Sequence, residues 1–223
     1  MNTQALDPAM AAGKVRPAEV IREYGPFAGS DTVNGVSFDG QNVWAATGVA
    51  LVAFDPGSGE PVRSLALPCD AGTAFDGTYL WQIAEARIDK IDPRSGEVLA
   101  TIPAPGGGTD SGMAWAEGSL WVGQYRQRKI HQIDPADGAI LRTIESDRFV
   151  TGVSWVDGEL WHATGEAGQS DIRRVQPDTG AVLERLQMPD GISVSGLEGD
   201  GGELFYCGGG ASGKVRAVRY PKD

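Results

Sequence analysis

Two aspartates, Asp70 and Asp110, stand at equivalent places in a repeated motif, each two residues before a glycine that opens a predicted strand. If the repeats close around an axis, the two carboxylates converge on one opening. There they could hold a divalent cation such as Ca²⁺ or Mg²⁺, or share a proton. The alternative, which the turn chemistry of aspartate favours, is that each carboxylate caps its own loop by accepting hydrogen bonds from backbone N–H groups.

The residue just before each strand-opening glycine should line the same opening. Hydroxyl and amide side chains at such a place could bind a polar substrate by a few convergent hydrogen bonds. The candidates for substrate binding are therefore Asn34, Ser111, Thr151 and Ser195.

The remaining candidates for chemistry are one histidine on a strand and several polar residues on variable loops. Glu85 and His162 could act as general acids or bases, and Tyr125 as a hydrogen-bond donor or a wall of the site. Arg87 and Glu166 are assigned to substrate binding. The alternatives are that the loop residues are only solvated and that His162 is hydrogen-bonded in the packing between repeats.

A repeat of roughly 40 residues organises these positions. Its aromatic anchors are Trp44, Trp81, Trp121, Trp161 and Phe205. The repeated segments are GVSFDGQNVWAATG from Gly35, GTAFDGTYLWQIAE from Gly72, GMAWAEGSLWVGQY from Gly112, GVSWVDGELWHATG from Gly152 and GLEGDGGELFYCGG from Gly196. We expect all six tryptophans to pack between repeats rather than to form a substrate cage.

Turn signals divide each repeat into four short strands. An acidic residue followed by glycine, such as Asp39-Gly40, predicts a tight hairpin early in the repeat. A second turn has Asp or Gln before proline and glycine where φ must be positive. Its prolines are Pro56, Pro93, Pro135 and Pro177. Four antiparallel strands per repeat predict an all-β fold, a five-bladed β-propeller with strands A to D in each blade.

The two ends of the chain are predicted to complete the fifth blade together. The last repeat has strands A to C, ending at Lys214–Tyr220, while residues 18–27 resemble the missing outer strand D. We therefore predict one propeller domain over residues 17–223, preceded by an extension over residues 1–16. The D–A and B–C loops share one face and vary between repeats, so the site is expected there.

The charge of the chain limits its partners. A formal net charge of −11 and a pI near 4.6 disfavour binding to nucleic acid or to an anionic membrane. The expected partner is a small-molecule substrate. No stretch has the roughly 20 apolar residues of a membrane helix, and Met1–Ala12 does not resemble a secretion signal. Cys69 and Cys207 are expected to be reduced, buried thiols of a cytoplasmic protein.

The strand motif ending in Leu-Trp, followed by I-D-P-x-[ST]-G-x-V, resembles the glutaminyl cyclase (glutamine cyclotransferase) family over residues 18–220. It is more distantly similar to the streptogramin B lyases. The resemblance implies a five-bladed propeller with a small-substrate site at one mouth of the channel. Those cyclases place F-T-Q-G and F-x-E-G before the first two strands A, where this chain has TVNG ending at Gly35 and CDAG ending at Gly72.

Three functions therefore stay open. The first is an enzyme, a lyase or cyclotransferase, that uses acid–base chemistry on a small polar or cationic molecule. The second is a catalytically inert propeller that binds a ligand or a protein on the same face. The third is a true glutaminyl cyclase.

Overall fold

The computed structural model describes residues 13–222, and all of its regular elements are β-strands. Residues 1–12 of the predicted extension lie outside the described residues. In chain order, the strands up to the end of the first blade are β1 (Lys14–Pro17), β2 (Val20–Tyr24), β3 (Gly35–Phe38), β4 (Val43–Ala46), β5 (Gly48–Phe54) and β6 (Pro61–Cys69).

Two further blades follow in the middle of the chain. The second blade comprises β7 (Thr73–Phe75), β8 (Leu80–Ala84), β9 (Arg87–Ile91) and β10 (Val98–Pro103). The third comprises β11 (Asp110–Ala116), β12 (Ser119–Gln124), β13 (Lys129–Ile133) and β14 (Ile140–Glu145).

The last two blades complete the ring. The fourth contains β15 (Val150–Val156), β16 (Glu159–Glu166), β17 (Gln169–Val175) and β18 (Val182–Gln187). The fifth contains β19 (Gly196–Gly199), β20 (Leu204–Gly208) and β21 (Val215–Arg219), with β2 as its outer strand. The predicted five-bladed propeller is confirmed, as is its closure, because β2 pairs antiparallel with β21.

One strand was not anticipated from the sequence. β1 lies parallel to β18 and makes blade 4 a five-stranded sheet. The three residues Lys14 to Arg16 of the predicted extension therefore belong to a sheet.

Aspartates fix the tight turns between strands A and B in blades 1 and 2. One oxygen of Asp39 accepts hydrogen bonds from the backbone N–H groups of Gln41 and Asn42, and the other accepts one from Trp44 Nε1 at 2.7 Å. Asp76 does the same for its turn and for Trp81 Nε1, at 2.9 Å. The turn residue thus also orients the aromatic anchor of its blade.

Aromatic contacts fill the spaces between blades. The rings of Trp81 and Trp115 stack with centroids 6.0 Å apart, and those of Trp121 and Trp155 lie 5.1 Å apart. Trp161 contacts Phe205 at 5.0 Å. The four anchor tryptophans are buried and the other two partly buried, as expected for a core shared by neighbouring blades.

Five glycines close the centre of the ring. They are Gly35, Gly72, Gly112, Gly152 and Gly196, one at or near the start of each strand A. A methyl group on Gly112 would lie 2.5 Å from the Cα atom of Gly152, and one on Gly196 would lie 2.7 Å from the Cα atom of Gly35. A methyl group on Gly35, Gly72 or Gly152 would likewise lie 2.5 to 2.7 Å from a backbone atom of the next blade or of the loop before it. We call these residues the glycine ring; at each of them only glycine lets the neighbouring backbone approach.

We expect Gly112→Ala to lower the free energy of unfolding by about 3 kcal/mol, because the added methyl group must displace the backbone at Gly152. Urea denaturation followed by tryptophan fluorescence measures the loss. Gly202→Ala is the control, since its methyl group would meet only Asp200 Oδ1 at 3.7 Å on an exposed turn. Equal losses in the two variants would contradict the role of the ring.

Candidate functional site

A depression of about 370 Å³ lies on the D–A and B–C face, lined by residues next to the glycine ring. We call it the mouth depression. All five blades or the loops before them contribute to it. Its lining residues are Asn34, Asp70, Ala71, Asp110, Ser111, Tyr125, Thr151, Gly165, Ser170, Ser193, Val194 and Ser195. The structure therefore brings together seven of the residues that the sequence singled out.

Both mouth carboxylates accept hydrogen bonds from loop backbone. The two oxygens of Asp70 lie 3.0 and 3.3 Å from the backbone nitrogen of Glu85, and those of Asp110 lie 2.9 and 3.0 Å from that of Gly106. These are the contacts that loop capping requires. Within residues 13–222 no cluster of three or more His, Cys, Asp or Glu side chains could hold a metal ion. The cation site at Asp70 and Asp110 stays a prediction.

Asp110 is less exposed to solvent than Asp70. Burial raises the pKa of Asp110 above its ordinary value, while hydrogen bonds from the backbone of Gly106 and Gly108 and from the side chain of Gln124 offset part of the shift. Gln124 lies opposite Asp110 in the β11–β12 pair. A carboxyl group whose pKa moves towards neutrality is suited to both accepting and returning a proton.

Hydroxyl groups at the rim divide into paired and unpaired ones. Ser111 Oγ donates to the carbonyl oxygen of Val150 on the next blade at 2.8 Å, and Ser195 Oγ likewise donates to that of Val33. Thr151 occupies the same position in blade 4, yet its buried Oγ1 has no hydrogen-bond partner among the described residues. The first two hydroxyls tie blades together, whereas Thr151 keeps its bonding capacity.

Tyr125 forms the aromatic wall of the mouth depression. Its ring is 39% exposed and rests on Phe149, with ring centroids 4.8 Å apart. The guanidinium of Arg128 covers Phe149, with its Cζ atom 4.8 Å from the ring centroid. Packing of this kind holds Tyr125 in place without using its hydroxyl group.

Three of the predicted loop residues do not line the mouth depression. Glu85 has a side chain that is 80% exposed, with an oxygen 3.7 Å from Arg87 NH1. Arg87 also pairs with Asp89 at 3.1 Å. Glu166 pairs with Arg128 at 2.6 Å and belongs to a charged cluster beside the depression. Their roles in substrate binding and catalysis stay predictions.

The charged cluster centres on Asp171, which is fully buried in β17. Arg148, Arg173 and Arg185 each place a nitrogen within 3.3 Å of its carboxylate. Burial alone would raise the pKa of Asp171, but hydrogen bonds from Arg173 and Thr164 outweigh it and lower the pKa below its ordinary value. The cluster joins the loop before blade 4 to the outer strands of that blade.

His162 lies inside blade 4 rather than at the mouth depression. It is 2% exposed, and its closest polar contact is Nδ1 to the carbonyl oxygen of Ala163 at 3.4 Å. Burial, followed by the nearby charge of Arg173, lowers the pKa of His162 to about 4, so the ring is neutral at pH 7. The placement matches the packing alternative; a catalytic role stays a prediction.

Glu198, on strand A of blade 5, is an acidic residue that was not among those predicted from the sequence. Ser154 Oγ of the neighbouring blade donates to its Oε1 at 3.0 Å, as does the backbone nitrogen of Gly199. Burial raises the pKa of Glu198 to about 8. The signal was present in the repeat, because the other four blades have serine or alanine at this position.

Comparisons with known proteins agree with the fold. Residues 143–208 match the family model described as glutamine cyclotransferase. No curated protein matches the chain significantly. The crystal structure of Myxococcus xanthus glutaminyl cyclase is similar with a TM-score of 0.74 and 16% identity, covering 93% of this chain and 97% of that one.

Two other solved structures are more distant. Staphylococcus aureus virginiamycin B lyase has a TM-score of 0.52 and 16% identity, covering 91% of this chain and 71% of that one. Kuenenia stuttgartiensis hydrazine synthase has a TM-score of 0.51 and 16% identity, covering 80% and 56%. The resemblance to glutaminyl cyclases, and the weaker one to a streptogramin-type lyase, is confirmed; at these identities the structural likeness shows the fold.

The raised pKa of Glu198 predicts that the free energy of unfolding depends on pH. The folded state holds the proton up to about pH 8, whereas the unfolded chain releases it near 4.5, so stability should fall as pH rises between these values. The full loss would be up to about 5 kcal/mol. Denaturation of wild type and Glu198→Gln at pH 5, 7 and 9 measures it. The variant should lose this part of the pH dependence; an unchanged profile would contradict the burial of the acid.

Proposed function

We propose that the protein is a cyclotransferase-type enzyme that acts on a small polar substrate in the mouth depression, with Asp110 as the group that transfers the proton. The observation that carries the proposal is the placement of Asp110, which is half-buried in a depression to which all five blades contribute and is bonded to the backbone of Gly106; burial there raises its pKa. The family-model match and the similarity to a glutaminyl cyclase support the reaction type.

Cyclisation of this type joins two ends of one molecule. An amine nitrogen attacks a carbonyl carbon, loses a proton, and the leaving group gains one. A single carboxyl group can take the first proton and supply the second, provided that its pKa lies closer to neutrality than that of a solvated aspartate. Asp110 meets this condition, and its bonds to Gly106 and Gln124 hold it in one orientation.

Three other groups would position the substrate. Asn34 lines the mouth depression, and the buried Oγ1 of Thr151 has no hydrogen-bond partner in residues 13–222. Tyr125 supplies a fixed wall of the same depression. Holding the substrate in a folded conformation lowers the barrier, because the two reacting ends then meet without a further loss of freedom.

Two alternatives have their own support. A true glutaminyl cyclase is favoured by the Myxococcus similarity, which covers 97% of that enzyme. An inert binding propeller is favoured by the hydroxyls of Ser111 and Ser195, which are already used between blades.

A substrate panel separates the three functions. N-terminal glutaminyl peptides test the true cyclase, and other amine-bearing amides and esters test the wider class.

Asp110→Asn should lower kcat by at least about 100-fold on any substrate that the panel identifies, since the amide cannot accept the proton. Product formation followed by mass spectrometry measures it. Asp137→Asn is the control, because Asp137 lies on an exposed turn and only caps the backbone of Ala139. Full activity in Asp110→Asn would remove Asp110 from the reaction. No turnover of any member of the panel by wild type would favour the inert propeller.

Thr151→Val and Ser111→Ala form a matched pair. The first removes an unpaired buried hydroxyl and should leave stability unchanged or raise it by about 1 kcal/mol, while KM rises. The second breaks a bond between blades and should cost about 1 kcal/mol. Thermal unfolding and steady-state kinetics measure both effects. Equal losses of stability would show that Thr151 is also a structural tie.

A further inference from the structure

The outer edge of blade 4 carries an added strand. β1 pairs parallel with β18 over four residues, from Lys14 opposite Glu184 to Pro17 opposite Gln187. The backbone nitrogen of Ala18 continues the ladder with a bond of 2.8 Å to the carbonyl oxygen of Gln187. The outer edges of sheets present unpaired backbone groups that can accept such a strand.

One position of the outer strands explains why the strand is added to blade 4. Sheet register makes five residues equivalent, and they are Arg22, Arg63, Ala100, Arg142 and Glu184. The three arginines reach the C–D turn of the next blade. Arg22 donates to the carbonyl oxygens of Pro56, Gly57 and Ser58, Arg63 to that of Arg94, and Arg142 to Asp178.

Blade 4 has no such turn to reach. In blade 5 the strands β21 and β2 come from opposite ends of the chain, so no C–D turn joins them. Blade 4 has Glu184 where the arginines stand elsewhere, and its carboxylate lies 2.8 Å from Arg16 Nε of β1. The strand β1 therefore stands where blade 4 lacks the arginine-to-turn contact that blades 1, 3 and 5 make with the next blade.

Charge gives this edge its selectivity. The Glu184 side chain is only 2% exposed, and its other cationic neighbour is Arg174 at 3.5 Å. A buried carboxylate is stable only when cations or hydrogen-bond donors compensate it. A segment whose basic side chain reaches Glu184, as Arg16 does from its place opposite Leu186, is therefore favoured at this edge, whereas blades 1, 3 and 5 have arginine at the equivalent position.

We propose that the outer edge of blade 4 is a strand-addition site selective for a basic extended segment, that its occupant is the chain's own Lys14–Pro17, and that this segment is a detachable latch across the seam between blades 4 and 5. The latch is short, and Val15 is 55% exposed. It lies on the rim of the ring and is independent of any chemistry in the mouth depression.

Hydrogen exchange in the full-length chain tests the ion pair. Arg16→Gln should speed exchange of the amides from Val15 to Ala18 by about 10-fold, because loss of the pair weakens local closure. Lys14→Gln is the control on the same strand and should change exchange by less than about 2-fold. Amides of β2 should stay protected in both variants. Equal acceleration in the two variants would overturn the selective role of Glu184.

A labelled peptide tests strand addition in trans. The probe has the sequence of residues 13–18, Gly-Lys-Val-Arg-Pro-Ala, and binding is followed by fluorescence anisotropy. It should bind saturably to full-length Arg16→Glu, whose own strand is repelled, and not to wild type.

Two outcomes would overturn the proposal. One is an absence of binding to Arg16→Glu although exchange shows an open latch. The other is undiminished binding when Glu184→Gln is added, or when the arginine of the peptide is replaced by glutamate. Because neither readout uses activity, a failure here is distinguishable from a failure of the proposed reaction.

Discussion

The close approach of five backbones at the glycine ring is the constraint on which the rest of the structure depends. Because a Cβ atom at any of these positions would lie within 2.7 Å of the next blade, each strand A must start with the same geometry. The residue before each glycine is then forced to the rim of one opening. The mouth depression is thus a consequence of how the ring closes, because the residues before all five glycines line it.

The same ring places Glu198 and the mouth carboxylates in different environments. Asp70 and Asp110 precede their glycines and meet the loops, whose backbone N–H groups bind them. Glu198 follows its glycine by two residues and accepts hydrogen bonds from Ser154 Oγ and from the backbone nitrogen of Gly199. An acid two residues before the glycine is therefore compensated by loop N–H groups, whereas the acid two residues after it stays protonated at neutral pH.

The fold could be predicted from the sequence because the repeat, the turns and the strands all indicate the same architecture. The closure of the ring by β2 could also be predicted, since residues 18–27 resemble the outer strands of other blades. The sequence could not show which rim hydroxyls are used. Ser111 and Thr151 hold the same place in the repeat, and their difference depends on the facing residues of the next blade. Similarly, β1 is too short for a pattern, and its contact with Glu184 is visible only in the structure.

The features that recur in every blade reveal the architecture and not the chemistry. The glycine ring, the anchor tryptophans and the proline turns serve every blade alike, so they report the architecture that this chain shares with enzymes of different activity. The five rim positions hold an amide, a methyl group and three hydroxyls, at Asn34, Ala71, Ser111, Thr151 and Ser195. A different side chain at these positions leaves the glycine ring intact, because all five residues line the opening rather than the close backbone contacts. A change of substrate therefore needs only rim and loop substitutions, and a fold match alone cannot reveal such changes.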